Sequence, residues 1–127
     1  MKYCSIGEAA AKLNIPESTI RYYEKKGLLP LIERDEAGRR LFSEDQMTLL
    51  ETVMRLKNTQ MPISQIKQYV DWVIEGNSTN DQRLEMMTKH KQAVLAQIAL
   101  MTESLAGIDF KIARYTKRKL EEKEGSE

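Results

Sequence analysis

One cysteine, one histidine, three prolines and a single tryptophan are all that this chain of 127 residues holds of the types that staple, ligate or interrupt a fold. Cys4 alone excludes an internal disulfide. With His90 it falls well short of a zinc ligand set, so no metal site is expected. No apolar run approaches the ~20 residues that span a bilayer. The N-terminal "MKYCSIGEAAAKLN" turns amphipathic at once and lacks the apolar block of a secretory signal. The expectation is a cytoplasmic chain with no membrane partner. Net charge is only +1, which removes the bulk electrostatic signature of a nucleic-acid binder and leaves the placement of charges to carry any such reading. Missing too are a Ser-His-Asp or Cys-His arrangement, a pair of catalytic carboxylates and a glycine-rich phosphate loop. Catalysis therefore has no foothold, and neither an enzyme nor a cofactor is expected.

What is present is helical periodicity, punctuated by caps. Ser5 and Glu8 have capping-box spacing, and Ile6, Ala9, Ala10 and Leu13 form an i, i+3, i+4, i+7 stripe, which predicts a first helix ending near Asn14. Pro16 is tolerated only in a first turn, so a second helix starts there after a turn of about three residues, the connection of a helix-turn-helix. Gly27 ends it. "LIERDEAGRRLF", Leu31 to Phe42, is too charged for a helix core and carries Ala37-Gly38 where a tight turn fits, which predicts a short exposed hairpin. Ser43 and Gln46 repeat the capping box ahead of a helix reaching Asn58, with Phe42 and Met47 spaced as a hydrophobic staple. Pro62 opens a fourth helix, and "EGNSTN", Glu75 to Asn80, is a polar break.

The last helix has the clearest period. Steps of three and four from Leu84 meet Met87, Lys91, Val94, Ile98, Met101, Leu105, Ile108, Ile112 and Tyr115, apolar at every position but Lys91. An apolar seam sustained over four heptads predicts a coiled coil, and one polar seam residue can set its register.

Charge placement singles out two segments. Residues 1–42 carry eight Lys or Arg against six Asp or Glu, and "RYTKRK", Arg114 to Lys119, is a second basic cluster. In "STIRYYEKKGLL", two tyrosines follow an arginine; adjacent helical positions point ~100° apart, so one buried stripe cannot hide both rings. A helix-turn-helix sends the N-terminal part of its second helix into the major groove, which brings Ser18, Thr19, Arg21 and Tyr22 to base edges and phosphates. Tyr23 divides its role, ring partly packed and hydroxyl toward the backbone. Arg34, Arg39 and Arg40 flank the hairpin turn, where a wing can lay them on phosphates. The bland alternative at both segments is a solvated basic surface.

In order, "SIGEAAAKLNIPESTIRYYEKKGLL", "RDEAGRRLFSED", "MPISQIKQYV" and a terminal coiled-coil helix resemble the successive elements of the MerR family of bacterial transcription regulators. The resemblance covers essentially the whole chain. It implies an all-α fold with a small β-wing: a winged helix-turn-helix head over residues 1–76, an antiparallel dimerisation helix over 79–119 and a charged, frayed tail over 120–127. The homodimer it implies binds a pseudo-palindromic promoter element in double-stranded DNA, and distorts an overlong spacer so that RNA polymerase engages both of its elements. Carried over by position, DNA contacts fall to Ser18, Arg21, Tyr22, Tyr23, Arg40 and Lys57, with Arg39 standing where an aromatic residue is frequent. Dimerisation falls to Leu84, Met87, Val94, Ile98, Met101, Leu105, Ile108 and Ile112. Phe42, in place of the usual tyrosine, is assigned to packing.

The effector is not named by the residues. The sequence closes on "KLEEKEGSE", without the metal-binding cysteines that many relatives carry beyond the coil, so a small-molecule or stress effector is expected instead. Tyr69 and Trp72 are candidates for its pocket wall, with head-to-coil packing as the alternative. Cys4, just before the positive N-terminus of the first helix, is a candidate thiol switch, with a small packing residue as the alternative. A structural or interaction protein, recruiting a partner through its coil, remains the competing class of function.

Overall fold

The computed structural model describes residues 2–125. In chain order the elements are α1 (Ile6–Leu13), α2 (Glu17–Lys25), β1 (Glu33–Arg34), β2 (Arg40–Leu41), α3 (Glu44–Asn58), α4 (Ile63–Glu75), a 3-10 turn (Asn77–Thr79) and α5 (Asn80–Gly125). The chain divides into two compact units, one through Met86 and one from Met87. The first, which runs past the 1–76 expected for the head and takes in the start of α5, is mostly helical with one two-stranded antiparallel sheet.

Local chemistry explains where its helices begin. In α1 the Glu8 N–H donates to Ser5 Oγ at 3.1 Å while the Ser5 N–H donates to Glu8 Oε1 at 3.0 Å, so the capping box closes in both directions. The Ser43–Gln46 box does the same for α3. Asn14 ends α1 in the left-handed region, φ 54°, and the Ile15 N–H reaches back to the Ala10 carbonyl at 3.1 Å, the return bond of a Schellman-type stop. Asn14, Ile15 and Pro16 are then the whole turn between α1 and α2. Gly27 stops the second helix at φ 78°, a conformation that disfavours any side chain, and the Lys67 stem lies where its Cβ would point.

The head's core is drawn from every one of these helices. Ala9 and Ala10 of α1, Ile20 and Tyr23 of α2, Leu50, Val53 and Leu56 of α3, and Ile66 and Val70 of α4 are buried, with Leu28, Leu29, Phe42 and Met61 from the connections. Phe42 is packed as expected. It also makes a pairing that no local pattern announces: Cys4 and Phe42 exchange backbone hydrogen bonds of 2.8 Å in both directions, which fastens the N-terminal segment alongside β2. A hydrogen bond between Tyr3 and Glu33 ties the same segment to β1.

The polar break after α4 is ordered. Gly76 takes φ 108°, and the buried Thr79 hydroxyl lies 2.6 Å from the Trp72 carbonyl and 2.7 Å from that of Gly76. Arg83 donates to Thr79 Oγ1, to the Gly76 carbonyl and to Asn80 Oδ1, at 3.1, 3.0 and 2.6 Å. Buried polar atoms need such partners, so Thr79 and Arg83 hold the exit from α4 together.

The second unit is helix throughout its described length. No residue of α5 is buried, and Ile98, Met101, Leu105, Ile108 and Ile112 are each more than half exposed. The helix begins before Leu84 and continues through the charged segment to Gly125, where a frayed tail was expected; Ser126 and Glu127 of that tail lie outside the described residues. Glu and Lys are good helix formers, and Lys117-Glu121 and Arg118-Glu122 have the spacing of favourable i, i+4 pairs, so no breaker stops the helix earlier. One 18-residue window within Asn77–Gly125 has a mean hydropathy of 1.3, enough in length and composition for a membrane span although no uninterrupted apolar run is that long. Gln97 and Glu103 interrupt that segment, and Val94, Ile98, Met101, Leu105 and Ile108 within it keep heptad spacing, the pattern of a seam for another helix, while Leu95, Leu100 and Phe110 lie off that seam.

Candidate nucleic-acid interface

Helix α2 answers the question its two tyrosines pose. Ile20 and Tyr23 turn inward, and Ser18, Arg21, Tyr22 and Lys25, at i, i+3, i+4 and i+7, form an exposed stripe on the other side. Tyr22 is 41% exposed and Tyr23 only 4%. Their rings meet at a tilt of 56° with centroids 6.2 Å apart, and the Lys26 ammonium sits 5.7 Å from the Tyr22 centroid. Burial, and secondarily Tyr22, push the Tyr23 phenol above its ordinary value, so it stays neutral. Tyr23 is thus a core residue that holds Arg21 and Tyr22 outward, with less surface than the sequence suggested. Thr19, beside the stripe, is half-buried.

The wing stands against this helix. β1 and β2 pair Glu33 with Leu41 and Arg34 with Arg40. The turn between them is built by Asp35: its Oδ1 accepts from the Ala37 and Arg39 N–H groups at 3.0 and 2.8 Å, its Oδ2 from Arg39 Nε at 2.9 Å, and Gly38 completes the turn at φ 80°. Chiefly because of the Arg39 backbone hydrogen bond, the Asp35 carboxyl is held below its ordinary range. A depressed pKa means that the contribution is complete above the unfolded value of about 3.9 and is lost as pH falls through the lower, folded value. Acid titration followed by NMR should therefore show Asp35 protonating below an unstructured aspartate, with loss of protection at the Arg39 amide in the same pH interval.

Arg34 and Arg40 share one carboxylate from the other side. The Glu24 carboxylate of α2 lies 2.8 Å from Nε and from one terminal nitrogen of Arg40, and 3.3 Å from Arg34, whose other terminal nitrogen donates to the Gly38 carbonyl at 2.8 Å. Glu24, ten and sixteen positions from its partners, was not anticipated from the sequence. The one available signal was an acid near a helix C-terminus, where the macrodipole disfavours it. Arg21 has a local partner as well, Glu17 at 3.3 Å with both side chains about half exposed, and such a pair is readily exchanged. Lys57, half-buried, lies in the last turn of α3 with exposed Arg55, which Glu51 holds.

The remaining candidates belong to neither the α2 stripe nor the wing strands. Tyr69 and Trp72 are half-buried on α4, and the Trp72 carbonyl is engaged by Thr79. Cys4 is half-buried, with Lys12 Nζ 3.2 Å from its sulfur, and it lines a surface hollow with Lys2, Phe42 and Met47.

Comparison with known proteins agrees with this geometry. Residues 4–71 match the model of the MerR HTH family regulatory proteins. An uncharacterised HTH-type transcriptional regulator of Haemophilus influenzae is 37% identical over 112 residues, 88% of this chain and 83% of that one. The crystal structure of HiNmlR, a MerR family regulator lacking the sensor domain and bound to promoter DNA, superposes with a TM-score of 0.84 at 35% identity, covering 93% of this chain and 94% of that one. A MerR family transcriptional regulator from Bacillus thuringiensis superposes with a TM-score of 0.85 at 42% identity, covering 89% and 99%. This chain, with its helix-turn-helix, its arginine wing and its long terminal helix, belongs to the MerR family of transcription regulators and is not an enzyme.

Proposed function

We propose that two copies of this chain pair antiparallel through α5 and that the two α2 helices enter successive major grooves of one dyad-symmetric promoter element. The observation that carries the DNA contact is the outward stripe of Ser18, Arg21, Tyr22 and Lys25 beside a wing of three arginines. Arg21 offers a planar fork that fits guanine O6 and N7; the Tyr22 ring suits a thymine methyl and its hydroxyl a phosphate. Thr19 sits at the edge of this contact, and Arg39, Arg40 and Lys57 serve the sugar-phosphate backbone, which positions the head without reading sequence. HiNmlR, similar over nearly its whole length, was crystallised on promoter DNA, which supports the same use of this surface here.

Pairing is argued from the seam. A row of exposed Ile, Leu and Met side chains at heptad spacing, between Leu84 and Ile112, leaves a large apolar surface in water unless another helix covers it. At ~1.5 Å per residue, Leu84 to Tyr115 spans roughly 48 Å, so an antiparallel pair carries heads at opposite ends, within reach of half-sites ~34 Å apart.

Regulation then acts through DNA shape. One surplus base pair in a promoter spacer turns one polymerase element by roughly 34° relative to the other, and a dimer that bends and untwists the central steps, at a cost of order 1 to 6 kcal/mol, returns both to one face. The test is transcription with purified polymerase from promoters whose spacers differ by single base pairs. Activation confined to the lengthened spacer supports the mechanism, and equal activation at every spacer length contradicts it.

A second reading has a smaller claim. A small-molecule or stress effector would act through Tyr69 and Trp72 or through Cys4. Lys12 beside the Cys4 sulfur is the observation in favour of Cys4, and a Cys4→Ser variant that responds normally to electrophiles in that transcription assay would remove it.

A further inference from the structure

The pairing of Arg34 with Arg40 requires an explanation. Like charges directly opposite one another on a two-stranded ribbon are destabilising, and these two occupy the same register position. Glu24 supplies the missing charge from another element. Its carboxylate contacts both guanidinium groups, and the Arg40–Glu24 pair is only about one-fifth exposed, 21% and 23%, unlike the open Arg21–Glu17 pair. Charge-assisted bonds of this kind are strong and directional, and they are screened little by salt when partly buried. Glu24 also sits in the last turn of α2, so the bond joins the helix proposed to read bases to the wing proposed to grip phosphates.

A carboxylate shared by two arginines presents them with negative charge and a pair of acceptor oxygens, as a backbone phosphate does. We propose that Glu24 is a specificity-determining positioning residue: it occupies Arg34 and Arg40 as an internal substitute for a DNA phosphate, placing the wing on α2 and withholding its charge from arbitrary duplex. This rests on the DNA-binding surface proposed above. On random sequence only electrostatics act, and each head offers one positive charge fewer than its arginines suggest. At a matching site α2 is seated by base contacts, and the wing arrives already aligned with the adjacent backbone. Discrimination is a difference of two affinities, and one carboxylate acts on both in opposite directions.

Glu24→Gln keeps the shape and removes the charge. Its test is a salt series of binding titrations on two duplexes of equal length, one selected from a random pool by the wild-type protein and one of scrambled sequence. In the variant, affinity for scrambled duplex should rise by about threefold to tenfold, with a salt slope steeper by about one to two, since each freed contact releases counterions with a slope near 0.9. Affinity for the selected duplex should fall by about tenfold, as expected from losing a charged hydrogen-bond anchor. Glu24→Asp, which retains the charge but shortens the reach, should bind scrambled duplex like the wild type and still lose affinity for the selected one. That split also keeps the proposal testable if the Gln variant folds poorly, as judged by its thermal midpoint. Affinities that rise together with their ratio unchanged, or that do not move, would overturn the proposal. Arg21→Ala in the same series separates the two claims: if it leaves both duplexes unaffected, the DNA-binding surface itself is wrong, whatever Glu24 does.

Discussion

Ile98→Asp is expected to leave the full chain monomeric at micromolar concentration, while its head keeps the circular dichroism and thermal transition of a folded domain. Ile98 lies in the middle of the apolar seam and is 55% exposed on α5, so nothing within the chain shelters it. In an antiparallel pair the substitution occurs on both helices. An uncompensated charge in a desolvated interface costs about 3 to 5 kcal/mol, so two such charges shift association by several orders of magnitude. The head's own core, from Ala9 to Val70, contains no seam residue and should be indifferent. Loss of the dimer removes the second half-site contact, and with it the effective concentration that links the two; affinity for a dyad-symmetric site should drop by about 10² to 10⁴. Analytical ultracentrifugation and DNA titration on one preparation check both halves. A variant that still sediments as a dimer would place the seam elsewhere.

Arg21→Ala should cost nearly as much on DNA with no effect on assembly. One bidentate contact to a base is worth about 1 to 3 kcal/mol, and the dimer makes it twice, so affinity for a selected site should fall by about 30-fold or more. Affinity for scrambled duplex should fall less, by the loss of one charge per head. Arg21→Lys sharpens the result. The ammonium restores charge but not the planar fork, so scrambled-duplex binding should recover and selected-site binding should not. Full recovery on both duplexes would make Arg21 a phosphate contact. The exposed Arg21–Glu17 pair makes neither substitution hazardous to the fold, because such pairs contribute little to stability.

Most of the head was legible because its signals are local. The two capping boxes mark α1 and α3 to the residue, and Asn14-Ile15-Pro16 marks the turn, since each depends on side chains within three or four positions of the backbone they satisfy. That Tyr22 and Tyr23 cannot share one buried stripe follows from helical geometry, but the depth of Tyr23's burial does not, because it is set by residues packed on it from elsewhere. What the sequence left hidden is long-range. Glu24 meets Arg34 and Arg40 only after the loop between α2 and the wing has closed, and Cys4 pairs with Phe42 across 38 positions that no periodicity connects. Thr79 read as part of a polar break and Arg83 carried no reading at all, yet together they order the turn between α4 and α5, since a buried hydroxyl and a guanidinium can satisfy carbonyls that a linker would leave to water. The charged C-terminal segment was misjudged for a different reason. High charge suggested fraying, but its Glu and Lys residues are also strong helix formers, and α5 runs on to Gly125.

The central claim, two heads carried by one antiparallel coil onto a single face of a duplex, is tested most directly by the symmetry of the DNA it selects. Enrichment from a random pool, followed by hydroxyl-radical footprinting of the bound duplex, should yield an inverted repeat whose half-sites are protected about one helical turn apart, ~34 Å, on the same side of the DNA. Enrichment of a single, unrepeated half-site with one protected patch would contradict it.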